Sequence, residues 1–379
     1  MIKVKDSGKA KIKDSIVQLN KMIETLNPKL AKIMLTTNLY GFDVSLMDAY
    51  YKSWVQQEQK GKHVKFRHIS AVINNDLKDI HNFISTYLPL TCNDNVFSYK
   101  KNTSILDCAT PHLNKFALFK LDVTDYFPSI TMELIYLKYV EAITNTLKSD
   151  RTRKVQVSTT EVEYLSKIIA ILCTRSDTKH TDNTSSILPI GISTAASISN
   201  GVFNEIDDSV DKIAAKYSLV YTRYSDNLFI STLGKDHIDR DIQAELIHTV
   251  NSYTVNGKQP FVIKNEKTRY APRWRHQRIL GVVVNTGKPN ISRIKEAWLR
   301  SALNHLYYDT LLIYSKIDKA AFMTKHQISF NKSKFRSREV FGYLSFVSMV
   351  NRAKFEKYSS QYHIIKVMLT EIELKLSTK

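Results

Sequence analysis

Two apolar runs that end on a carboxylate constrain this chain more than any other feature of its sequence. From Phe116 to Asp122 the residues Phe-Ala-Leu-Phe-Lys-Leu-Asp predict a buried strand that stops on an acid. Tyr126-Phe127-Pro128-Ser129 and a helix from about Met132 follow. A second run, Leu219 to Tyr224, meets Ser225-Asp226-Asn227 and resumes as Leu228-Phe229-Ile230-Ser231, which predicts a hairpin with an acidic tip. Between the two lies a polar stretch from Thr174 to Ser186, then small residues from Gly191 to Asn200 that open a helix. Strands and helices in this order predict an α+β fold, a sheet layer with helices on one face.

The flanks are read in the same way. Residues 1–60 carry helical periodicity at Ile16, Leu19, Met22, Ile23 and Leu26, then basic and polar stretches ending in Gln59-Lys60-Gly61-Lys62, and predict an appended helical region. Lys65 to Ile69 is strand-like and precedes an amphipathic helix with Leu77, Ile80, Ile84 and Leu88 on one side. After Lys235 come a helix to about Ser252, the strand-like Phe261-Val262-Ile263 and the hydrophobic segment Ile279 to Val284. From Arg293 onward the chain is helical, basic and rich in Tyr and Phe.

Lys and Arg outnumber Asp and Glu by 55 to 36, a formal charge of +19, which favours polyanionic partners, nucleic acid first. With 43% hydrophobic and 10% aromatic residues, the 379-residue chain is not a disordered one and can bury a core. Cys92, Cys108 and Cys173 lack metal-ligand spacing and cannot all pair within one chain, so a reducing compartment is expected. The segment Met1 to Lys13 is charged and lacks the apolar centre of a signal peptide. No window approaches the roughly 18 apolar residues of a membrane span. The expectation is a cytoplasmic protein with no membrane partner.

Two carboxylates at adjacent strand ends suit one chemistry well. Nucleotidyl transfer uses two divalent ions, one to lower the pKa of the attacking hydroxyl and one to steady the leaving pyrophosphate. Such ions take a few carboxylates plus substrate phosphates as ligands. By position alone, carboxylates placed like Asp122 and Asp226 are more often ordinary turn or cap residues.

The residues around them carry a resemblance. Lys120-Leu-Asp-Val-Thr-Asp-Tyr-Phe-Pro-Ser-Ile130 resembles the first palm motif of reverse transcriptases, Leu188-Pro-Ile-Gly-Ile-Ser-Thr-Ala-Ala-Ser-Ile-Ser-Asn200 the second, and Tyr221-Thr-Arg-Tyr-Ser-Asp-Asn-Leu-Phe-Ile-Ser231 the third, in the same order and at similar spacing. Further segments resemble bacterial retron enzymes. Ser104-Ile-Leu-Asp-Cys-Ala-Thr-Pro-His112 is similar to their Asn-Ala-x-x-His segment and Ile279-Leu-Gly-Val-Val-Val-Asn285 to their Val-Thr-Gly segment. Pro289 to Arg293 and Glu339 to Asn351 look like thumb segments.

The resemblance implies a right-hand polymerase. Its parts are a helical region (1–60), fingers (61–115 and 148–187), a palm (116–147 and 188–285) with an antiparallel sheet, and a helical thumb with a C-terminal RNA-binding region (286–379). It implies Asp122 and Asp226, with the backbone carbonyl of Val123, as ligands of two Mg2+ ions, Mn2+ being an alternative. Lys267 would act on the leaving pyrophosphate. Lys65 and Arg67 would hold the triphosphate, Phe127 would stand beneath the sugar as a steric gate, and Gly191 and Asn227 would line the nucleotide site. His112, Gly281, Asn285 and Arg293 are implied in RNA binding. From the residues alone Phe127 is also a candidate core aromatic, Arg67 a surface charge, and Gly191, Ser193, Thr194 and Asn200 either nucleotide contacts or aids to close helix packing.

The implied partners are a structured noncoding RNA, its single-stranded DNA product, deoxynucleoside triphosphates and a separate effector protein in a bacterial antiphage system. Two other readings stand beside this one: an abortive-infection polymerase making DNA without a template, and a nucleic-acid-binding scaffold that is not an enzyme. The chain departs from the family at Asn227, where the third motif usually has a second Asp. It departs also at Ile190, Ser193, Ala195 and Ala196 in the second motif, and at Cys108 and Leu280 in the retron segments. An amide at 227 keeps an oxygen acceptor and loses a negative charge.

Overall fold

The computed structural model describes residues 8–60, 63–150, 156–176, 186–234, 237–315 and 320–377. In chain order they form α1 (Gly8–Leu26), α2 (Pro28–Thr36), α3 (Ser45–Asp48), β1 (Tyr51–Lys60), β2 (His63–Val72), α4 (Asn75–Tyr87), α5 (Ile105–Ala109), β3 (Ala117–Asp122), α6 (Met132–Ser149), α7 (Thr159–Leu172), β4 (Arg175–Ser176) and β5 (Ser186–Ile187). Then follow α8 (Ala195–Val202), α9 (Asn204–Lys216), β6 (Leu219–Tyr224), β7 (Asn227–Thr232), α10 (Arg240–Asn251), β8 (Arg269–Pro272), β9 (Arg278–Ile279), β10 (Val282–Val283), α11 (Arg293–Tyr314), α12 (Ala320–Val350) and α13 (Arg352–Ser377). Among the described residues no helix is long and apolar enough to cross a membrane.

The predicted α+β class holds. A four-stranded sheet has the strand order β6-β7-β3-β8. β3 and β7 lie inside it and are buried at nearly every position, including Leu118, Phe119, Leu121, Leu228, Phe229 and Ile230, as central strands must be. The helices start where local chemistry dictates. Asn74, Thr131 and Ser158 each accept a backbone N–H of the first turn of α4, α6 and α7, and Glu161 reaches back to complete a capping box at Ser158.

Compactness divides the described chain into two units. The first comprises residues within 1–104, 119–233 and 237–270, and the second those within 105–118, 234–236 and 271–379. In the first unit α1 and α2 are helical as predicted, but Tyr51–Lys60 is not part of a helical region. It is β1, paired antiparallel with β2 from Tyr51↔Val72 to Lys60↔His63. A two-stranded ribbon has few neighbours to bury it: Trp54, Val55, Val64 and Phe66 are each 43–57% exposed, so the segment lacks the strict alternation that marks a half-buried strand. The base of the ribbon is tied down by Arg175, which is buried and donates from Nη1 to the hydroxyls of Ser53 and Ser70. The predicted strand at Phe261–Ile263 is reduced to one bridge, Val123↔Ile263.

In the second unit, β9 and β10 form a short hairpin whose turn, Leu280–Gly281, has φ of +49° and +92°. Positive φ at both turn residues is the hairpin geometry that favours glycine, and Gly281 supplies one of them. α11, α12 and α13 pack pairwise around Leu299, Leu303, Leu306, Val340, Leu344, Val347 and Ile365.

Candidate active site

The backbones of the two motif aspartates come together at one end of the sheet because hydrogen bonds tie their strands there. Tyr224 pairs with Asn227, which leaves Ser225–Asp226 as a two-residue turn with Ser225 at φ +57°. The Asp226 carbonyl accepts the N–H of Val123 at 2.9 Å, directly after Asp122. On the other side the Asp122 carbonyl accepts Lys264 N–H at 2.8 Å, and Thr124 N–H donates to Val262 at 2.8 Å. The end of β3 is thereby held between the hairpin tip and the 262–264 segment.

Asp122 is 5% exposed and its Oδ1 lies 2.5 Å from Lys267 Nζ, so a cation already stands against this carboxylate. The Lys267 side chain is 43% exposed and has room to move off. Asn227 donates from Nδ2 to Asp226 Oδ1 at 2.7 Å. The residue in the usual second-acid position thus serves its neighbour as a hydrogen-bond donor, and the repulsion of a second carboxylate is absent. Among the described residues no group of three or more His, Cys, Asp or Glu side chains is gathered for a metal ion. Two carboxylates and a backbone carbonyl are all-oxygen donors and too few for a closed cage. That suits a hard divalent cation that draws its other ligands from water and phosphate, and does not suit a structural zinc.

Beneath the hairpin tip lies a polar network that the sequence did not announce. Arg223 on β6 and Asp207 on α9 are both 0% exposed, joined by two bonds of 2.7 Å, Nε to Oδ1 and Nη2 to Oδ2. Tyr221 donates to the same carboxylate at 2.6 Å. The guanidinium also donates to Tyr126 Oη at 3.1 Å, to the Asn200 carbonyl at 3.2 Å and to the Ser225 carbonyl at 3.0 Å, and stacks 4.8 Å from the Phe203 ring. Burial works against its charge, and the Asp207 carboxylate overcomes that, raising the Arg223 pKa above its ordinary value. Through Ser225, this pair sets the backbone of the turn that carries Asp226. The only sequence signal was one arginine within an otherwise apolar strand, which looks the same as a surface charge.

The motif residues divide between solvent and core. Tyr126 is buried, donates to the Ser199 carbonyl at 2.5 Å and belongs to the network, while its neighbour Phe127 remains half-buried, edge-on to Tyr126 at 5.7 Å. Arg67 is exposed on β2 opposite Gln56, and the Lys65 side chain lies outside the described residues. Thr194 and Asn200 face inward. Thr194 is 2.8 Å from His81 Nδ1, and Asn200 bonds Ser98 through both ends of its amide. Burial lowers the His81 pKa to about 4. Exposed Ser193 bonds Asn82 at 3.3 Å.

Gly191 is required for a reason internal to the chain. It has φ +117°, the Ile190 carbonyl accepts Ser70 N–H at 2.8 Å, and a Cβ at 191 would stand 2.6 Å from the Ser70 carbonyl oxygen. The close approach is to β2. Gly191→Ala is expected to cost about 1–3 kcal/mol from the backbone conformation alone, read as a lower urea midpoint at unchanged slope.

The residues implied in RNA binding lie in the second unit. His112 is fully buried, and burial followed by the Lys115 charge lowers its pKa to about 3, so its side chain is neutral and faces protein. Asn285 accepts Gln277 N–H at 2.7 Å and donates to the carbonyls of Arg273 and Arg275 at 3.0 and 2.7 Å, so it shapes a loop. Gly281 is exposed in its turn beside Phe346, and Arg293 is exposed at the start of α11.

No known family profile matches the chain. Among solved structures, the telomerase of Candida albicans aligns over 86% of this chain and 64% of its own, with a TM-score of 0.40 and 10% identity. The retron Ec86 reverse transcriptase of Escherichia coli is 22% identical over 252 residues, 66% of this chain and 68% of that protein. The retron Ec83 reverse transcriptase of Escherichia coli is 25% identical over 55% of this chain, and the retron Mx65 reverse transcriptase of Myxococcus xanthus 26% identical over 53%. The matched regions are 61% and 43% of those two proteins. By sequence the chain is thus similar to several retron reverse transcriptases, which are RNA-directed DNA polymerases.

Proposed function

We propose that this chain copies part of a structured noncoding RNA into single-stranded DNA by two-metal nucleotidyl transfer, with Asp122 and Asp226 as the carboxylate ligands. One observation carries the reading: the Val123 N–H to Asp226 carbonyl bond of 2.9 Å, which brings two strand-end acids together at one end of a buried sheet. Bound Mg2+, or Mn2+ in its place, would activate the primer hydroxyl and neutralise charge on the phosphates. The residues do the rest. Asp122, Asp226 and the Val123 carbonyl hold and orient. Lys267, exposed beside Asp122, moves to the leaving pyrophosphate as a proton donor. Arg67 and Lys65 take the triphosphate, for which guanidinium geometry is suited. Asn227 keeps Asp226 oriented, and Gly191 seats the second motif against β2.

Phe127 is the sugar gate in this reading, supported by its half-buried ring one residue from the anchored Tyr126. Phe127→Ala is expected to raise ribonucleotide incorporation relative to deoxynucleotide by roughly tenfold or more, measured by single-nucleotide extension. Unchanged selectivity would return Phe127 to a packing role.

Exposed Gly281 and Arg293 contact the RNA, while His112 and Asn285 shape the surface from within. The product remains with the protein in the cytoplasm and serves phage defence with a separate effector. Sequencing the nucleic acid that copurifies with the protein tests this. Linked RNA and DNA of defined sequence is the expected result. DNA of random sequence would assign untemplated synthesis instead, and RNA without DNA a scaffold.

A further inference from the structure

In the second unit the loop between β8 and β9 carries four consecutive exposed residues, Arg273, Trp274, Arg275 and His276, between buried Pro272 and fully buried Gln277. Trp274 is 74% exposed, against 45% for Trp54 and less for Trp298. The loop is held in one shape from below. The Asn285 amide bonds the carbonyls of Arg273 and Arg275 and the N–H of Gln277, and Arg275 N–H closes a turn onto the Pro272 carbonyl at 2.9 Å. Gln277 Nε2 donates to the Ala271 carbonyl at 2.9 Å. Arg273 Nη2 reaches Asn114 Oδ1 at 3.0 Å. Two polar side chains are thus spent on fixing a backbone on which Trp274, Arg275 and His276 are exposed.

We propose that this loop is an RNA-binding platform, with Trp274 stacking on an unpaired base of an RNA loop and Arg275 and His276 holding the adjoining backbone. The inference rests on the reading of the chain as a partner of structured RNA and names the surface that would take it. A large ring on a rigid loop stacks with little entropy to lose, and its neighbours Arg273, Arg275 and Arg278 supply the charge that a phosphate backbone seeks. RNA is favoured over a DNA strand because RNA loops splay single bases onto aromatic or guanidinium planes, whereas proteins that track single strands line a groove with successive rings. Here one ring is presented.

The test is equilibrium binding of the full chain to a labelled RNA hairpin with an adenosine loop, beside the same stem closed as a blunt duplex and the equivalent DNA hairpin. Trp274→Ala is expected to weaken binding of the looped RNA about tenfold and to leave the blunt duplex unchanged, while Trp274→Phe stays within about threefold of wild type. Arg275→Gln should flatten the dependence of log affinity on log salt by about 0.7, the loss of one phosphate contact. A thiouridine in the loop should crosslink to Trp274. Unchanged looped-RNA binding by Trp274→Ala would overturn the proposal, as would an equal loss on the DNA hairpin, which would assign the surface to the DNA product. A wild-type chain that binds the looped RNA through Trp274 yet extends no primer on oligo(dT)·poly(rA) would sink the polymerase reading and leave this one standing. An active wild type with no Trp274 effect sinks this one alone.

Discussion

Asp226→Asn is expected to lower deoxynucleotide incorporation by on the order of 10³-fold or more, with no loss of fold. The substitution keeps the size of the side chain and leaves the Asp226 carbonyl bond to Val123 N–H, a backbone contact, in place. What it removes is the last carboxylate at the hairpin tip, because position 227 is already an amide that donates to Asp226 Oδ1. Asp122→Asn should be as severe. There the lost charge also deprives Lys267 Nζ of its partner at 2.5 Å. Primer extension on oligo(dT)·poly(rA) in Mg2+ measures the effect, and coincident thermal unfolding of variant and wild type shows that the fold survives. Near-normal synthesis by either variant would remove that acid from the chemistry.

The second large effect concerns stability. Asp207→Ala is expected to destabilise the chain by about 3–5 kcal/mol, because it leaves the Arg223 guanidinium, 0% exposed, without a counter-charge. The loss would appear as a lower urea midpoint. Replacing the pair together with apolar residues of similar volume should cost far less, since two desolvated charges are removed with their attraction. The double variant is the more informative for function. It restores stability but not the bond from Arg223 Nη1 to the Ser225 carbonyl, so a stable double variant with impaired synthesis would identify Arg223 as a positioning residue for the turn. A double variant both stable and fully active would confine the pair to folding.

The elements readable in the sequence were those whose signal is local. β3 and the β6–β7 hairpin are short apolar runs bounded by turn residues, and they form where the pattern places them. The start of α6 is written in Thr131, whose hydroxyl needs only the first turn of its own helix. β1 escaped because an exposed ribbon carries no buried face to impose alternation, and the helical period of α1 and α2 made continuation the natural expectation. The same contrast runs through the site. Tyr126 and Phe127 are adjacent aromatics with equal claim to the core, and only packing sends Tyr126 to the Ser199 carbonyl and leaves Phe127 half-buried. Thr194 and Asn200, small polar residues in a motif, gave no sign that their hydrogen bonds would go to His81 and Ser98.

By itself the sequence determined which acids close the strands, the order of the motifs around them, and the absence of a second acid at Asn227. These depend on residue type and on spacing along the chain. The tertiary structure decided what binds those acids into one place: the Val123–Asp226 backbone bond, the Arg223–Asp207 pair beneath the turn, and the approach of Gly191 to Ser70. Each joins residues distant in sequence. Whether a charged or small residue is buried depends on what packs over it, and no local pattern records that.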